Sequence, residues 1–541
     1  MIQKLGARLR LRLSEDVVRR HSRILVFCLG FILSLNLNLD LLFAASPSLA
    51  DRVIEHKLAN GLTVLMVERH QTPVVSINIT FAVGGINEQV GQTGLAHLYE
   101  HMAFKGTRTV GTRDYGREKP VLEEIARVGT ELDQRRRAVA AKIGGNGTAE
   151  EQAAIESLQT RFAALQAEAS KYVVGNELAL LYQRHGGVGL NASTSKDVTR
   201  YMISLPANRL PLWAAIESDR MANPVFREFY KERGVVMEER RLRNEDSPTG
   251  LLFETFTSAA FRAHGYGVPT IGWGSDILSL TPDETDAFFR TYYGPNRATI
   301  ALVGDLDPQE TIALIENTFG KIPAAPTPTA RVPVEPEQRG ERRVEVEFDA
   351  EPAIVIGFHK PGVGHPDDDV FDVLDAILSE GVTSRLYKKL VREQRLAASV
   401  HTDASHPGVR EPNLFIVMAT PLAPHTTAEV ETAIYEELER LKREPVSPKE
   451  LERVINNLDA DMVRALRSNS GLASQLAVYQ AVAGDWRYVL RSRDKIAAVT
   501  AEDVQRVATT YFTKSNRTVG VLIKKAERKA VVAAEYGEAM P

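Results

Sequence analysis

Two histidines and a glutamate stand in the string Gly94-Leu95-Ala96-His97-Leu98-Tyr99-Glu100-His101-Met102, in the order H-x-x-E-H. On a helix, residues four apart leave the same face, so both imidazoles can grip one metal ion. Glu100, three residues after His97, projects towards that face and can reach a water on the metal. Hydrolysis of an unactivated amide needs two ligands side by side, a base next to them and an open coordination position. The same pattern also fits a helix with two partly buried, hydrogen-bonded histidines. The surrounding elements have to decide.

Upstream, Val74 to Phe81 is an alternating β-branched run that reads as a strand. Gly84-Gly85 breaks it, and residues 88–94 are polar. The helix carrying the histidines is expected to start at Thr93 as N-cap and to stop at Gly106. This strand, loop and helix, with the string from Gly94 to Thr107, closely resemble the pitrilysin/insulinase family of zinc peptidases. That family uses the inverted zinc motif, with the base before the second histidine.

The resemblance implies one Zn²⁺ per chain, with Glu100 as the catalytic base. It also implies a third ligand from a downstream helix reading E-R-x-x-V-x-x-E. Here that helix is Lys231-Glu232-Arg233-Gly234-Val235-Val236-Met237-Glu238-Glu239-Arg240, which puts Glu239 at the ligand position. Glu232 matches a carboxylate that orients a ligand histidine. Glu238 competes with Glu239 but lies about 100° further round the helix. The gap from His101 to Glu239 is about twice the family's usual one.

The excess sits in residues 117–182. Ala, Glu, Gln, Leu and Arg dominate over 121–132 and 148–172, with Ile155, Leu158, Phe162 and Leu165 at helical spacing. Gly144-Gly145-Asn146-Gly147 breaks the run. This reads as a helical hairpin inserted into the fold and projecting from it, so that the ligands can still meet. Arg135-Arg136-Arg137 reads as a solvated face, or as a docking surface. After the hairpin, Gly186 to Ser195 reads as an edge strand that another backbone can approach. By resemblance Asn191, Ala192 and Ser193 would hold the substrate as an added strand. An ordinary glycine-rich turn into a strand fits the same residues.

Internal repetition sets the domain count. Residues 280–299 and 499–518 each read as an N-capped helix, a tight turn and an apolar strand, and strands near Ile77 and Ile354 are each followed by a loop and a helix. The expected fold is α+β: two homologous halves, each a mixed or antiparallel sheet with helices on one face. The halves span 51–325 and 344–525. A Pro-rich linker joins them over 326–343, and a tail follows at 526–541.

The second half has no H-x-x-E-H. The resemblance leads one to expect an arginine and a tyrosine seven residues apart, binding substrate and oxyanion. Val391 and Ala398 stand there instead. Arg392 is one residue out of register, and Tyr387 reads as packing. The resemblance therefore implies a partner, a zinc-less homologous subunit supplying both groups. A homodimer is the alternative arrangement.

Residues 1–50 read as an export signal. Six arginines lead into an apolar run over 24–45, and Ser48-Leu49-Ala50 offers small residues for cleavage. This points to the periplasm, with an uncleaved inner-membrane anchor as the alternative; Asn36, Asn38 and Asp40 argue against a stable span. The only cysteine, Cys28, lies inside that segment. A net charge of −4 gives no basic field for nucleic acid. The implied activity is a zinc-dependent endopeptidase acting on extended or unfolded peptides. Its rivals are a non-catalytic scaffold and a metal-binding subunit that holds peptides without cutting them.

Overall fold

The computed structural model describes residues 48–142, 145, 147–328 and 332–525. The export signal expected over 1–50, save 48–50, and the tail lie outside the described residues. Residues 48–53 belong to a unit of their own, a single helical turn, Leu49–Arg52, capped by the Ser48 hydroxyl. From Ile54 onward the chain is one unit. Among the described residues no helix is long and apolar enough to cross a membrane.

Two mixed sheets organise that unit. The first has the order β1-β2-β6-β3-β5-β4, from β1 (Ile54–Lys57), β2 (Thr63–Glu68), β3 (Val74–Phe81), β4 (Val188–Thr194), β5 (Thr199–Pro206) and β6 (Ala298–Gly304). The second has the order β7-β11-β8-β10-β9, from β7 (Arg342–Phe348), β8 (Ala353–Lys360), β9 (Ala397–His406), β10 (Asn413–Pro421) and β11 (Arg517–Lys524). Without β1 the two orders are the same. The single parallel pair also recurs, β2 with β6 and β7 with β11. The repeated helices open alike: Pro282–Tyr292 on a Thr281/Glu284 capping box, and Ala501–Tyr511 on a Thr500/Asp503 box. The chain is thus two-halved, as the repetition implies. Strand β7 begins inside the expected linker, because Arg342 and Arg343 already pair with Thr518 and Val519.

The expectation of helices on one face only is corrected. Each sheet carries its own helices on one face and a helix of the other half on the opposite face. On β3, Val75, Ile77, Ile79 and Phe81 enter the first core. The alternate residues Ser76, Asn78 and Thr80 are buried as well. Helix Asn469–Ala483 of the second half lies against β3 and β6, with Ala473 and Ala477 fully buried. Reciprocally, helix Pro248–Ala260 of the first half lies on β7, β8 and β11. Phe256 enters through two glycines there: a Cβ on Gly357 would stand 2.6 Å from its ring, and one on Gly520 3.1 Å from its Cβ. On the second sheet a bare face would expose Val355, Leu414, Ile416 and Leu522, which cluster with Leu252 and Phe256 of that helix, whereas on the first sheet the covered face of β3 is polar.

Polar ties reinforce the junction. The Tyr266 hydroxyl donates to Asp197 at 2.7 Å, and Asp197 accepts the Val409 amide at 2.7 Å.

The inserted hairpin consists of helices Tyr115–Ala140 and Ala149–Ser170. It does not simply project. Its first helix meets the start of helix Phe229–Arg240, where the Tyr230 hydroxyl donates to the Ala126 carbonyl at 3.3 Å; Ile125, Val128 and Leu132 are buried. Gly129 admits the Tyr230 ring, which a Cβ would meet at 2.3 Å. Asp133 pairs with Arg233 at 2.7 Å, and Phe162 of the second helix meets Tyr230 edge to face. Arg135, Arg136 and Arg137 are exposed. At the base, Glu118 and Arg227 form an ion pair at 2.7 Å, with side chains 0% and 1% exposed. The Arg227 guanidinium also donates to the carbonyls of Lys105, Thr107 and Val110.

A buried charge without its partner is costly. Glu118→Leu should therefore cost about 3–5 kcal/mol in denaturant unfolding. The double variant Glu118→Leu/Arg227→Met should recover most of that loss.

Candidate metal centre

The histidines lie on helix Leu95–Met102, in the connection between β3 and β4. Leu95, Leu98, Tyr99 and Met102 anchor it in the first core. The expected N-cap is corrected: the cap is Gly94, with φ +91°, and no side chain caps the helix from that position. A Cβ there would stand 2.6 Å from the Ile271 carbonyl oxygen, so the tight approach and the left-handed backbone both require glycine. The orphan amides are met from outside instead. The Glu88 carboxylate accepts Gly94 N and Ala96 N, each at 2.8 Å. Burial pushes the Glu88 carboxyl up, against those two amides and the Lys196 ammonium. Thr93 is drawn away, donating to Asp276 at 2.7 Å and accepting the Trp273 amide at 2.9 Å.

Helix Phe229–Arg240 brings the acids. Glu232 and Glu239, seven apart, face the histidines. Its C-terminal end is fixed by Arg240, which binds the Glu254 carboxylate through two nitrogens at 2.8 and 2.9 Å and the Gly272 carbonyl at 2.7 Å. Glu238 is exposed and pairs with Arg241 at 2.9 Å, away from the histidines.

The structure brings three predicted ligands together. Glu239 Oε2 lies 3.4 Å from His101 Nε2, and Oε1 lies 3.7 Å from His97 Nε2. All three ligand atoms fall within 4.8 Å of one another. Ligands at about 2.0–2.1 Å from a tetrahedral Zn²⁺ stand about 3.4 Å apart, so the donors fit that ion. The two imidazoles differ in protonation: the hydrogen bond to Glu232 raises His101 above its ordinary value, against burial. Burial, with the charges of His101 and Arg243 adding to it, drops His97 to about 3, leaving a free lone pair. His101 turns its Nδ1 to Glu232 at 3.5 Å, which leaves Nε2 facing Glu239. Burial pushes Glu232 up, but His101 and Lys105 outweigh it and hold the carboxyl at about 2.

Glu100 stands beside the histidines on the same helix. It is tied to strand β4, with Thr194 Oγ1 donating to its Oε2 at 2.6 Å. Burial raises its carboxyl above the ordinary range, against that hydrogen bond. Strand β4 is an edge: it pairs with β5 on one side, with Asn191 opposite Met202 and Ala192 opposite Tyr201. Asn191 and Ala192 line a cleft of about 730 Å³ that also takes in Glu100 and His101. The Ser193 hydroxyl instead accepts from Arg200 on β5 at 3.0 Å. The arrangement offers a metal-sized donor set, a carboxylate of raised proton affinity and a free strand edge, side by side.

Three neighbours escaped sequence reasoning. Lys105, one further turn along in sequence from His101, binds Glu232 at 2.5 Å; the 97–101–105 spacing is its signal. Arg243 pairs with Glu239 Oε1 at 2.7 Å, four residues on. Thr194 directly follows the three strand residues singled out. In the second half, Tyr387 and Val391 pack against the second core, while Arg392 and Ala398 are exposed.

Residues 63–132 and 163–273 match the family model for insulinase, peptidase family M16, and residues 279–458 match that for the peptidase M16 inactive domain. The first match lapses over 133–162, the outer part of the hairpin. The zinc protease PqqE of Helicobacter pylori is 27% identical over 86% of this chain and 91% of its own. The uncharacterized zinc protease YmxG of Bacillus subtilis is 22% identical over 84% and 94%. Among solved structures, a protease from Helicobacter pylori aligns with TM-score 0.70 at 26% identity, covering 87% of this chain and 99% of that one. The first half of the periplasmic protease PqqL from Escherichia coli aligns with TM-score 0.63 at 18% identity over 91% and 97%, a likeness of fold alone.

Gly94→Ala tests how the histidine helix is entered. Left-handed backbone alone costs an alanine about 1–2 kcal/mol, and the carbonyl contact adds to it. Thermal unfolding should show a loss of at least that size.

Proposed function

The chain belongs to the pitrilysin/insulinase family, peptidase family M16, and on that premise we propose that it is an exported zinc-dependent endopeptidase cutting extended or unfolded peptides. The observation that carries this reading is the meeting of His97, His101 and Glu239 within 4.8 Å, next to a glutamate bound to a free strand edge. His97, His101 and Glu239 would hold the ion. A zinc ion there supplies a Lewis acid that polarises a scissile carbonyl and acidifies water.

The chain's own groups do the rest. Glu232 holds His101 through Nδ1 and is itself held by Lys105. Thr194 fixes one oxygen of Glu100, so its other oxygen takes the proton of the attacking water and passes it to the departing amine. The raised proton affinity of Glu100 suits a group that must both accept and release a proton. A peptide added to β4 at Asn191 and Ala192 would be held by backbone hydrogen bonds, which favours extended chains over folded ones. The basic and apolar residues 1–50 support export.

Val391 and Ala398 stand where the family's arginine and tyrosine are expected. We therefore propose a zinc-less homologous subunit as partner, with a homodimer as the other arrangement. The same two residues favour the second reading, a scaffold or peptide-holding subunit that does not cut.

Two measurements separate these readings. Glu100→Gln should keep one Zn²⁺ per chain and lose about 10²–10⁴-fold in peptide cleavage; undiminished turnover would remove Glu100 from its role. The purified, zinc-loaded chain by itself should cleave a mixed peptide library about 10²-fold more slowly than with its co-purifying subunit. Full activity alone would exclude the partner. Zinc without cleavage in either state would favour the peptide-holding reading.

A further inference from the structure

The donors have one neighbour that the chemistry above leaves unused. Arg243 pairs with Glu239 Oε1 at 2.7 Å, although its side chain is 73% exposed. Water would satisfy so open a guanidinium, and a cation on a metal-binding carboxylate repels the ion meant for it. The backbone sets the contact. Residues Arg241–Glu245 form a single π-helical turn that continues the glutamate helix, closed by Asp246 N donating to the Arg241 carbonyl at 2.7 Å. Helix Pro248–Ala260 starts so close to that turn that a Cβ on Gly250 would collide with the Arg243 carbonyl oxygen.

The other polar side chains of the turn are engaged elsewhere. Arg241 pairs with Glu238 and Asp246 at 2.9 and 2.6 Å, Asn244 donates to Glu254 at 2.9 Å, and Glu245 takes Arg240 at 3.2 Å. The backbone is thereby held on both sides of residue 243, while its side chain reaches a donor. Burial is the largest influence on His97 and on Glu100, yet the Arg243 charge is felt at both. One guanidinium therefore acts on a carboxylate ligand, a histidine ligand and the proposed base together.

We propose that Arg243 is a further catalytic residue: its guanidinium donates to the carbonyl oxygen of the scissile peptide as that oxygen gains negative charge. A guanidinium has five N–H groups, so one that rests on Glu239 Oε1 keeps donors for a second oxygen. A donor aimed at developing charge acts on the transition state more than on the bound peptide. Water adds to the carbonyl carbon, Glu100 carries its proton to the amine as the C–N bond breaks, and Arg243 stays protonated throughout. The inference rests on the peptidase reading above. It also narrows what a partner has to bring: Val391 packs into the second core, Arg243 supplies the positive charge from the first half, and the tyrosine alone is outstanding.

Arg243→Ala and Arg243→Lys are made in the full zinc-loaded chain, with any co-purifying subunit, and given a mixed peptide library. Two readouts besides cleavage accompany them. Zinc affinity is measured by chelator competition. Binding to the Glu100→Gln chain, with and without Arg243→Ala, is measured for one library peptide and for its phosphinic analogue, in which a tetrahedral anion replaces the scissile amide.

Arg243→Ala should lower kcat about 10²–10³-fold with little change in KM. Arg243→Lys should restore part of that, because an ammonium keeps the charge without the fork. Zinc affinity should hold or rise, since a like charge is removed. The phosphinic analogue should lose about 10²-fold in affinity and the parent peptide none. Undiminished cleavage would overturn the role and leave the peptidase reading standing. So would a fall in zinc affinity of about tenfold or more with cleavage recovered in excess zinc, the mark of a residue that only orients Glu239. Equal losses for peptide and analogue would overturn it too, leaving ground-state binding. A chain that cuts nothing but binds the analogue through Arg243 would uphold the contact and remove the hydrolysis. A chain that neither cuts nor binds would overturn both.

Discussion

Two short helices meet so that donor atoms of His97, His101 and Glu239 lie within 4.8 Å of one another, and the rest of the first half is arranged to hold them there. The histidine helix offers two imidazoles one turn apart. The glutamate helix offers two carboxylates two turns apart. The outer carboxylate meets both Nε2 atoms, and the inner one meets the Nδ1 of His101 and the Lys105 ammonium. An error of an ångström would separate the donors, so each helix is pinned at an end by buried polar groups. Glu88 holds the histidine helix at its start. Arg227 holds the residues that follow it, and Arg240 holds the far end of the glutamate helix. Buried ion pairs contribute little net stability, but they define one geometry sharply, which is what a donor set needs.

The hairpin enters this scheme from an unexpected side. More than a hundred residues separate His101 from Glu239, and an insertion of that size could disturb the approach of the two helices. Instead it buttresses them. Gly129 lets Tyr230 of the glutamate helix into the hairpin surface, and Glu118 supplies the charge that Arg227 needs to be buried at all. The insertion is thereby part of the support for the donors, and its base becomes a wall of the adjoining cleft.

The two halves depend on each other through exchanged helices. Glycines at 357 and 520 admit Phe256 from the first half, and alanines at 473 and 477 let a helix of the second half lie close on β3 and β6. Strand β3 leads directly towards the histidine helix, so packing in the second half bears on the position of the donors. The second half keeps this architectural role without the zinc motif.

The sequence by itself determined what is local or periodic. The H-x-x-E-H spacing put two imidazoles on one helix face, the repeated capping boxes and strands revealed two halves, and the seven-residue interval placed Glu232 and Glu239 together. These are properties of helical and strand periods, which need no distant partner. Only the tertiary structure decided what depends on approach. Thr93 is a sound N-cap by residue type, yet Asp276 and Trp273 claim its hydroxyl and Gly94 takes the cap because the Ile271 carbonyl leaves no room for a side chain. Helices cover the second face of each sheet because the other half reaches across, which no alternation within one strand can report. Residues 173–179 join the cleft for the same reason: Gly111 and Thr112, some sixty positions earlier, hold them there, and contacts between distant segments leave no mark on the spacing of either.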